Sequence, residues 1–216
     1  TMSPALAVHR RASLPMYDFP ELRPAHEALW NVIAENLGKA GLDGIPDLLT
    51  FDGEATALWQ APDLLLSQTC GLPLVTSLGN TVKVVATPKY RAPGCSGSRH
   101  RGFIVVSASS PVQRLVELRN SRCVINAWDS NTGMNMLRAA VAPLSQGGRF
   151  FGSVTVSGSH LASLQAVAEG AADIAAIDCI TYAHLSRHRP ELAGATRVLA
   201  VTAATPCLPL VTAAST

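Results

Sequence analysis

Apolar residues in this chain come in short runs of four to six, each followed by a polar turn rich in small residues. The runs at 63–68, 82–87, 102–106, 123–126, 150–157, 173–178, 198–202 and 208–212 have the length and β-branched content of buried strands. Residues 12–17 read as a first strand running into a loop. Helical spacing governs 24–39, where Pro24 suits a first turn, Leu29, Val32, Ile33, Asn36 and Leu37 recur at near-helical intervals, and Gly38 and Gly41 close the helix. Shorter helices are expected over 112–118, 134–141, 161–169 and 182–187. Strands alternating with helices predict an α/β protein with mainly parallel sheets covered by helices on both faces. At 89–102 the composition turns to Pro, Gly, Ser and basic residues, which reads as a linker or crossover.

In open α/β sheets, ligands bind at the carboxyl ends of strands. Five such positions carry polar residues here: Tyr17, Ser67-Gln68-Thr69, Ser130-Asn131-Thr132-Gly133, Ser157-Gly158-Ser159-His160 and Asp178. The stretch 123–140 is the most informative, because its loop of Asn, Ser, Thr and Gly runs straight into a helix start. There, free N–H groups and the positive end of the helix dipole favour an anion. Capping is the alternative use of Asp129, Ser130 or Thr132, and the two readings are equally balanced for that loop. Gly158 and Ser159 repeat the logic, and a protonated His160 would add a charge-assisted bond to a phosphate-like oxygen. Asp178 either caps the next helix, the slightly favoured reading, or accepts from a ligand oxygen or amine.

Catalytic arrangements are weakly represented. Ser159, His160 and Asp178 contain the residue types of a triad, but no G-x-S-x-G elbow is present, and adjacent Ser and His side chains leave a helix start in different directions. Cys70 or Cys179 with His160 gains no support from spacing. Neither G-x-G-x-x-G nor a P-loop occurs. The expectation is a binder without catalysis, cofactor or metal.

Composition narrows the partners. With 48% apolar and 15% charged residues the 216-residue chain is globular. A net charge of +2, with basic clusters only at Arg10-Arg11 and Arg99-His100-Arg101, argues against a nucleic-acid partner, and the second cluster reads as a solvated loop. No run approaches the roughly 18 apolar residues of a spanning helix, so no membrane insertion is expected. Residues 5–8 are too short for a signal h-region, and Thr1 before Met2 reads as an added residue. A removed leader would make the protein periplasmic; otherwise it is cytoplasmic. Five cysteines without C-x-x-C spacing disfavour zinc. Cys123 and Cys179 suit buried positions, while Cys70 and Cys95, in loop-like contexts, are candidates to pair under oxidising conditions.

The segments Ala12-Ser13-Leu14-Pro15-Met16-Tyr17-Asp18, Leu65-Leu66-Ser67-Gln68-Thr69-Cys70-Gly71, Ser130-Asn131-Thr132-Gly133-Met134, Gly158-Ser159-His160 and 170–178 together make the chain resemble a known family. These are the phosphate/phosphonate-type substrate-binding proteins of ABC transporters, of the type II periplasmic binding protein fold. The resemblance implies two α/β lobes joined by crossover strands, with a small oxyanion held in the cleft between them for an ABC permease. Residues 1–100 would form lobe 1, 101–198 lobe 2, and 199–216 the return to lobe 1; the likeness also implies further lobe-1 helices beyond Thr216. Tyr17, Gln68 and Thr69 from the first lobe, and Ser130, Asn131, Thr132, Gly133, Ser159, His160 and Asp178 from the second, are the implied ligand contacts. A cytoplasmic sensor of the same fold, or a binder of a sulfonate or thiamine-precursor pyrimidine, are the alternatives. Oligomeric state is left open.

Overall fold

A computed structural model describes residues 9–216. The reading of residues 1–8 as a chain start without a signal h-region lies outside the described residues. The chain divides into two compact units, one running to Pro88 and regaining Leu208–Thr216, the other spanning Lys89–Cys207.

The first unit opens with β1 (Arg11–Ala12), a 3-10 turn at Pro15–Tyr17 and helix α1 (Arg23–Lys39), followed by α2 (Ala55–Trp59), β2 (Leu64–Gln68), α3 (Gly71–Thr76) and β3 (Val82–Ala86). The expected first strand is thus only two residues long, because Pro15 fixes a turn and places Tyr17 in the 3-10 segment. Helix α1 has the expected extent, but its buried stripe is displaced: Trp30, Ile33, Ala34 and Leu37 face the core, whereas Leu29 and Val32 are exposed. Trp30 dominates because it is the largest apolar group, and its indole N–H donates to the Pro46 carbonyl at 3.1 Å. Helix α3 lies where the sequence suggested a Gly-bearing turn; Pro73 sits within its first turn, where a missing N–H costs nothing. One core joins Leu58, Trp59, Leu64, Leu78 and Val82, and another joins Ala12, Leu14, Trp30, Leu49, Leu65 and Leu66.

The second unit contains β4 (Arg99–His100), β5 (Gly102–Ser107), β6 (Arg122–Ile125), α4 (Met136–Val141), β7 (Ser153–Val156), α5 (His160–Ala168), β8 (Ile174–Asp178), α6 (Cys179–His188), α7 (Pro190–Gly194), β9 (Thr196–Val201) and β10 (Thr205–Pro206). The chain then returns to the first unit as β11 (Leu210–Ala213). The helix expected at 112–118 is a 3-10 turn at Leu115–Leu118. Five strands form the main sheet in the order β7-β6-β8-β5-β9, and β1-β2-β11-β3 form the sheet of the first unit.

Strand pairing corrects the expectation of mainly parallel sheets. β6 pairs in parallel with β7 and β8, whereas β5 is antiparallel to both β8 and β9. In the first unit β1 and β2 are parallel, but β11 runs antiparallel to β2 and β3. Antiparallel strands look the same as parallel ones in sequence when both faces are buried, and β5 (GFIVVS) and β8 (IAAID) are buried almost throughout. With a period of two, Ile104, Val106, Cys123, Ile125, Ile174 and Ala176 join Leu137, Val141 and Phe150 in one core.

Two glycines, one from each unit, separate a position fixed by packing from one that is open. A Cβ on Gly152 would come within 2.5 Å of the Asn120 carbonyl oxygen, a backbone atom that cannot swing away, whereas Gly79 of the first unit has nothing within 4 Å. Gly152→Ala is therefore expected to destabilise the protein by about 1–3 kcal/mol through overpacking, and Gly79→Ala to be nearly neutral, as read by urea unfolding.

Candidate functional site

The donors singled out in the second unit sit on two helix starts. After β6, Ser130 is the N-cap and accepts from Gly133 N–H at 3.1 Å. Asn131–Asn135 then form one π turn, closed by Asn135 N–H donating to the Ser130 carbonyl at 3.0 Å, before α4 begins. Such turns widen a helix and are enriched at functional positions. Asn131 is tied down by its amide to Thr205 Oγ1 at 3.2 Å and by Asn135, which donates to Asn131 Oδ1 at 3.1 Å. After β7, Gly158 takes a left-handed conformation with φ +91°, and Ser159 caps α5 by accepting from Ala162 N–H at 3.1 Å. Capping thus consumes one lone pair on Ser130 and one on Ser159. Neither hydroxyl hydrogen has an acceptor among the described residues, so both are available as donors.

Close approach brings the two starts together. Gly133 has no room for a Cβ against Asn126 and the His160 ring. Thr132 Oγ1 lies 3.5 Å from His160 Nε2. A Cβ on Gly102 would meet the Thr132 carbonyl at 3.1 Å, and Gly102 pairs in register with Asp178 across β5 and β8. Thr132, Gly133, His160 and the end of β8 are therefore one cluster.

Asp178 caps the next helix, the slightly favoured reading, and also faces a buried histidine. Oδ1 accepts from the N–H groups of Ile180 and Thr181 at 2.9 and 3.1 Å, and Oδ2 lies 2.8 Å from His100 Nδ1. His100 is the residue that sequence reasoning missed. It was read as part of a solvated basic cluster, yet it is 1% exposed while Arg99 beside it on β4 is exposed. The usable signal was alternation, since a strand that points Arg99 outward must point His100 inward.

Burial resists the charge on Asp178, but the His100 hydrogen bond and charge, with the helix-start N–H groups, hold its carboxyl below the usual carboxylate range. His160 behaves oppositely. Burial pushes its imidazole below the ordinary value, outweighing the attraction of Asp178 and a hydrogen bond to the Ala176 backbone. Protonation of His160, which would make it a charge-assisted donor, is therefore disfavoured. No triad forms among Ser159, His160 and Asp178, since Ser159 faces Ala162 and Asp178 faces His100.

In the first unit, Gln68 and Thr69 end β2. Gln68 donates its amide to the Leu208 carbonyl at 3.0 Å, and Thr69 donates its hydroxyl to the Cys70 carbonyl at 3.3 Å. Both are buried, as is Tyr17. Cys95, one of two candidates to pair under oxidising conditions, has its sulfur 3.7 Å from that of Cys179.

A mixed α/β chain with polar helix starts at its strand ends has the features of a type II periplasmic binding protein. A sequence model of the ABC-transporter periplasmic phosphonate substrate-binding proteins matches residues 63–216, so the chain belongs to that family. Among solved structures, PhnD1 of Prochlorococcus marinus in complex with methylphosphonate is 17% identical with a TM-score of 0.70, over 95% of this chain and 76% of that one. A binding-protein component of a Pseudomonas aeruginosa phosphonate transporter is 12% identical with a TM-score of 0.69, over 95% and 68%. A Xanthomonas citri protein bound to ATP is 14% identical with a TM-score of 0.67, over 96% and 77%. At these identities the structures share the fold. No curated protein matches the chain.

Removing the carboxylate tests the pair. Asp178→Ala removes the cap of α6 and leaves the buried His100 imidazole without its partner, and is expected to cost about 3–5 kcal/mol of unfolding free energy. The depressed carboxyl stabilises the fold fully above its unfolded value near 3.8 and progressively less as pH falls below it. His160 adds an earlier loss: the unfolded chain takes up its proton first as pH falls through about 6.5, so stability declines there. Chemical denaturation at about pH 7 and pH 5 is expected to show a smaller decline in His160→Gln than in wild type.

Proposed function

We propose that this protein holds a small phosphorus oxyanion, a phosphonate or phosphate, and hands it unchanged to an ABC permease at the periplasmic face of the membrane. The observation that carries this reading is the convergence of Thr132, Gly133 and His160 at two adjacent helix starts whose cap hydroxyls, Ser130 and Ser159, keep a donor to spare. Donors without a counter-cation suit an anion stripped of water, because low dielectric strengthens each hydrogen bond. The Asp178 carboxylate lies beside these donors, and its oxygens already face His100 and the first N–H groups of α6. Asn131 shapes the turn. Tyr17, Gln68 and Thr69 are proposed as further ligand contacts. The membership of the chain in the phosphonate-binding family supports the ligand class and the permease partner.

A bound anion would favour the imidazolium form of His160, so binding is coupled to proton uptake. Affinity then rises as pH falls through the histidine range, until the fold itself loses stability.

Isothermal titration with methylphosphonate, phosphate, sulfate, taurine, ATP and a thiamine-type pyrimidine tests the reading. One phosphorus oxyanion is expected to bind, and Thr132→Ala and His160→Ala each to weaken it by about 1.5–3 kcal/mol, the range for hydrogen bonds to charged groups. Wild-type affinity in both variants would move the site elsewhere. Binding of the pyrimidine or taurine alone would replace the ligand class.

A further inference from the structure

Three of the five cysteines, Cys95, Cys179 and Cys207, belong to the second unit's strap and its surroundings. Residues 89–98 form that strap, irregular backbone that precedes β4. It is packed tightly: Gly94 adopts φ +89°, and a Cβ there would lie 2.8 Å from the Phe103 ring and 2.9 Å from Cys179 Cβ. The next residue, Cys95, has its sulfur 3.7 Å from that of Cys179, the first residue of α6. All five cysteines are thiols in this structure. A disulfide needs the two sulfurs at about 2.05 Å, with Cα atoms roughly 4.4–6.8 Å apart. The two sulfurs, at 3.7 Å, have roughly 1.7 Å to close to reach the bond length, and the packing of Gly94 against Cys179 Cβ holds the strap alongside the start of α6.

We propose that Cys95 and Cys179 are a cross-linking site, forming a disulfide that fastens the 89–98 strap to the start of α6. The cap residue of that helix is Asp178, so the bond would anchor the strap beside the buried His100–Asp178 pair. The oxidant is a disulfide, RSSR. Cys95, half-buried and therefore the more accessible thiol, attacks as thiolate to give Cys95–S–S–R and release RS−. Cys179, deprotonated, then attacks the Cys95 sulfur and releases the second RS−. Two cysteine thiols are oxidised, RSSR is reduced to two RSH, and the two thiol protons end on those products. Burial pushes the Cys179 thiol up to about 12, so the closing attack accelerates as pH is raised. The proposal does not depend on the identity of the ligand.

The experiment incubates the full chain with oxidised glutathione, quenches with acid, and counts thiols after denaturation, with non-reducing peptide mapping alongside. Three of the five thiols are expected to remain, with one cross-linked peptide joining Cys95 to Cys179 and a melting temperature raised by several degrees and restored by reductant. Cys95→Ser, at the half-buried position, is expected to keep the fold, to show no cross-link and to lose the melting shift; Cys70→Ser is expected to retain both. Cys207 is fully buried and within electrostatic reach of Cys95, so a Cys95–Cys207 peptide would overturn the pairing. Five thiols surviving oxidation, or a mixed glutathione adduct on Cys95 that never closes, would overturn the site altogether.

Discussion

The buried contact between His100 and Asp178 is the constraint on which the second unit turns. It is buried on both sides, and it joins β4 to the point where β8 becomes α6. An isolated carboxylate at that depth would cost far more than the fold can spare. The histidine and two helix-start N–H groups make it tolerable, and in return the carboxylate fixes where β8 ends and which way α6 leaves. Gly102, next along from that pair, can then lie against the Thr132 carbonyl. The position of the candidate anion donors follows from this placement of a buried charge.

Electrostatics in this cluster favour neutral donors over formal positive charge. Burial disfavours the charged form of His160, which faces the Thr132 hydroxyl, and His100 lies against Asp178. Dipoles and hydroxyls fixed by helix caps reorganise little when an anion arrives, so their interaction is not spent on rearrangement. A substrate-binding protein has to release its cargo as well as hold it, and an arrangement of polar but mostly uncharged groups is suited to both. The π turn after Ser130 serves the same end. It widens the helix start by one residue, leaving Thr132 facing His160 while the Gly133 N–H is held by the Ser130 cap.

Capping does not by itself exclude a hydroxyl from donating elsewhere. Ser130, Ser159 and Asp178 all cap helices, and the sequence left open whether that would exclude a ligand role. A hydroxyl that accepts from a backbone N–H still has a hydrogen to donate, so the two serines keep both capacities. A carboxylate has only acceptors, and those of Asp178 are met by two N–H groups and an imidazole. The physical difference between a hydroxyl and a carboxylate therefore separates candidates that look alike in sequence.

What the sequence determined by itself was local. Period-two and period-3.6 patterns located most strands and helices to within a few residues, and the polar, glycine-bearing strand ends pointed to Thr132, Gly133 and His160. Short helices beginning at Gly71 and Pro190 escaped because their few residues carry no full period. Only the tertiary structure decided the antiparallel course of β5, β9 and β11, the burial of His100, the lowered basicity of His160 and the approach of Cys95 to Cys179. Each of these depends on partners far apart along the chain, and a pattern within one segment cannot say which distant segment will supply the counter-charge, the desolvation or the second sulfur.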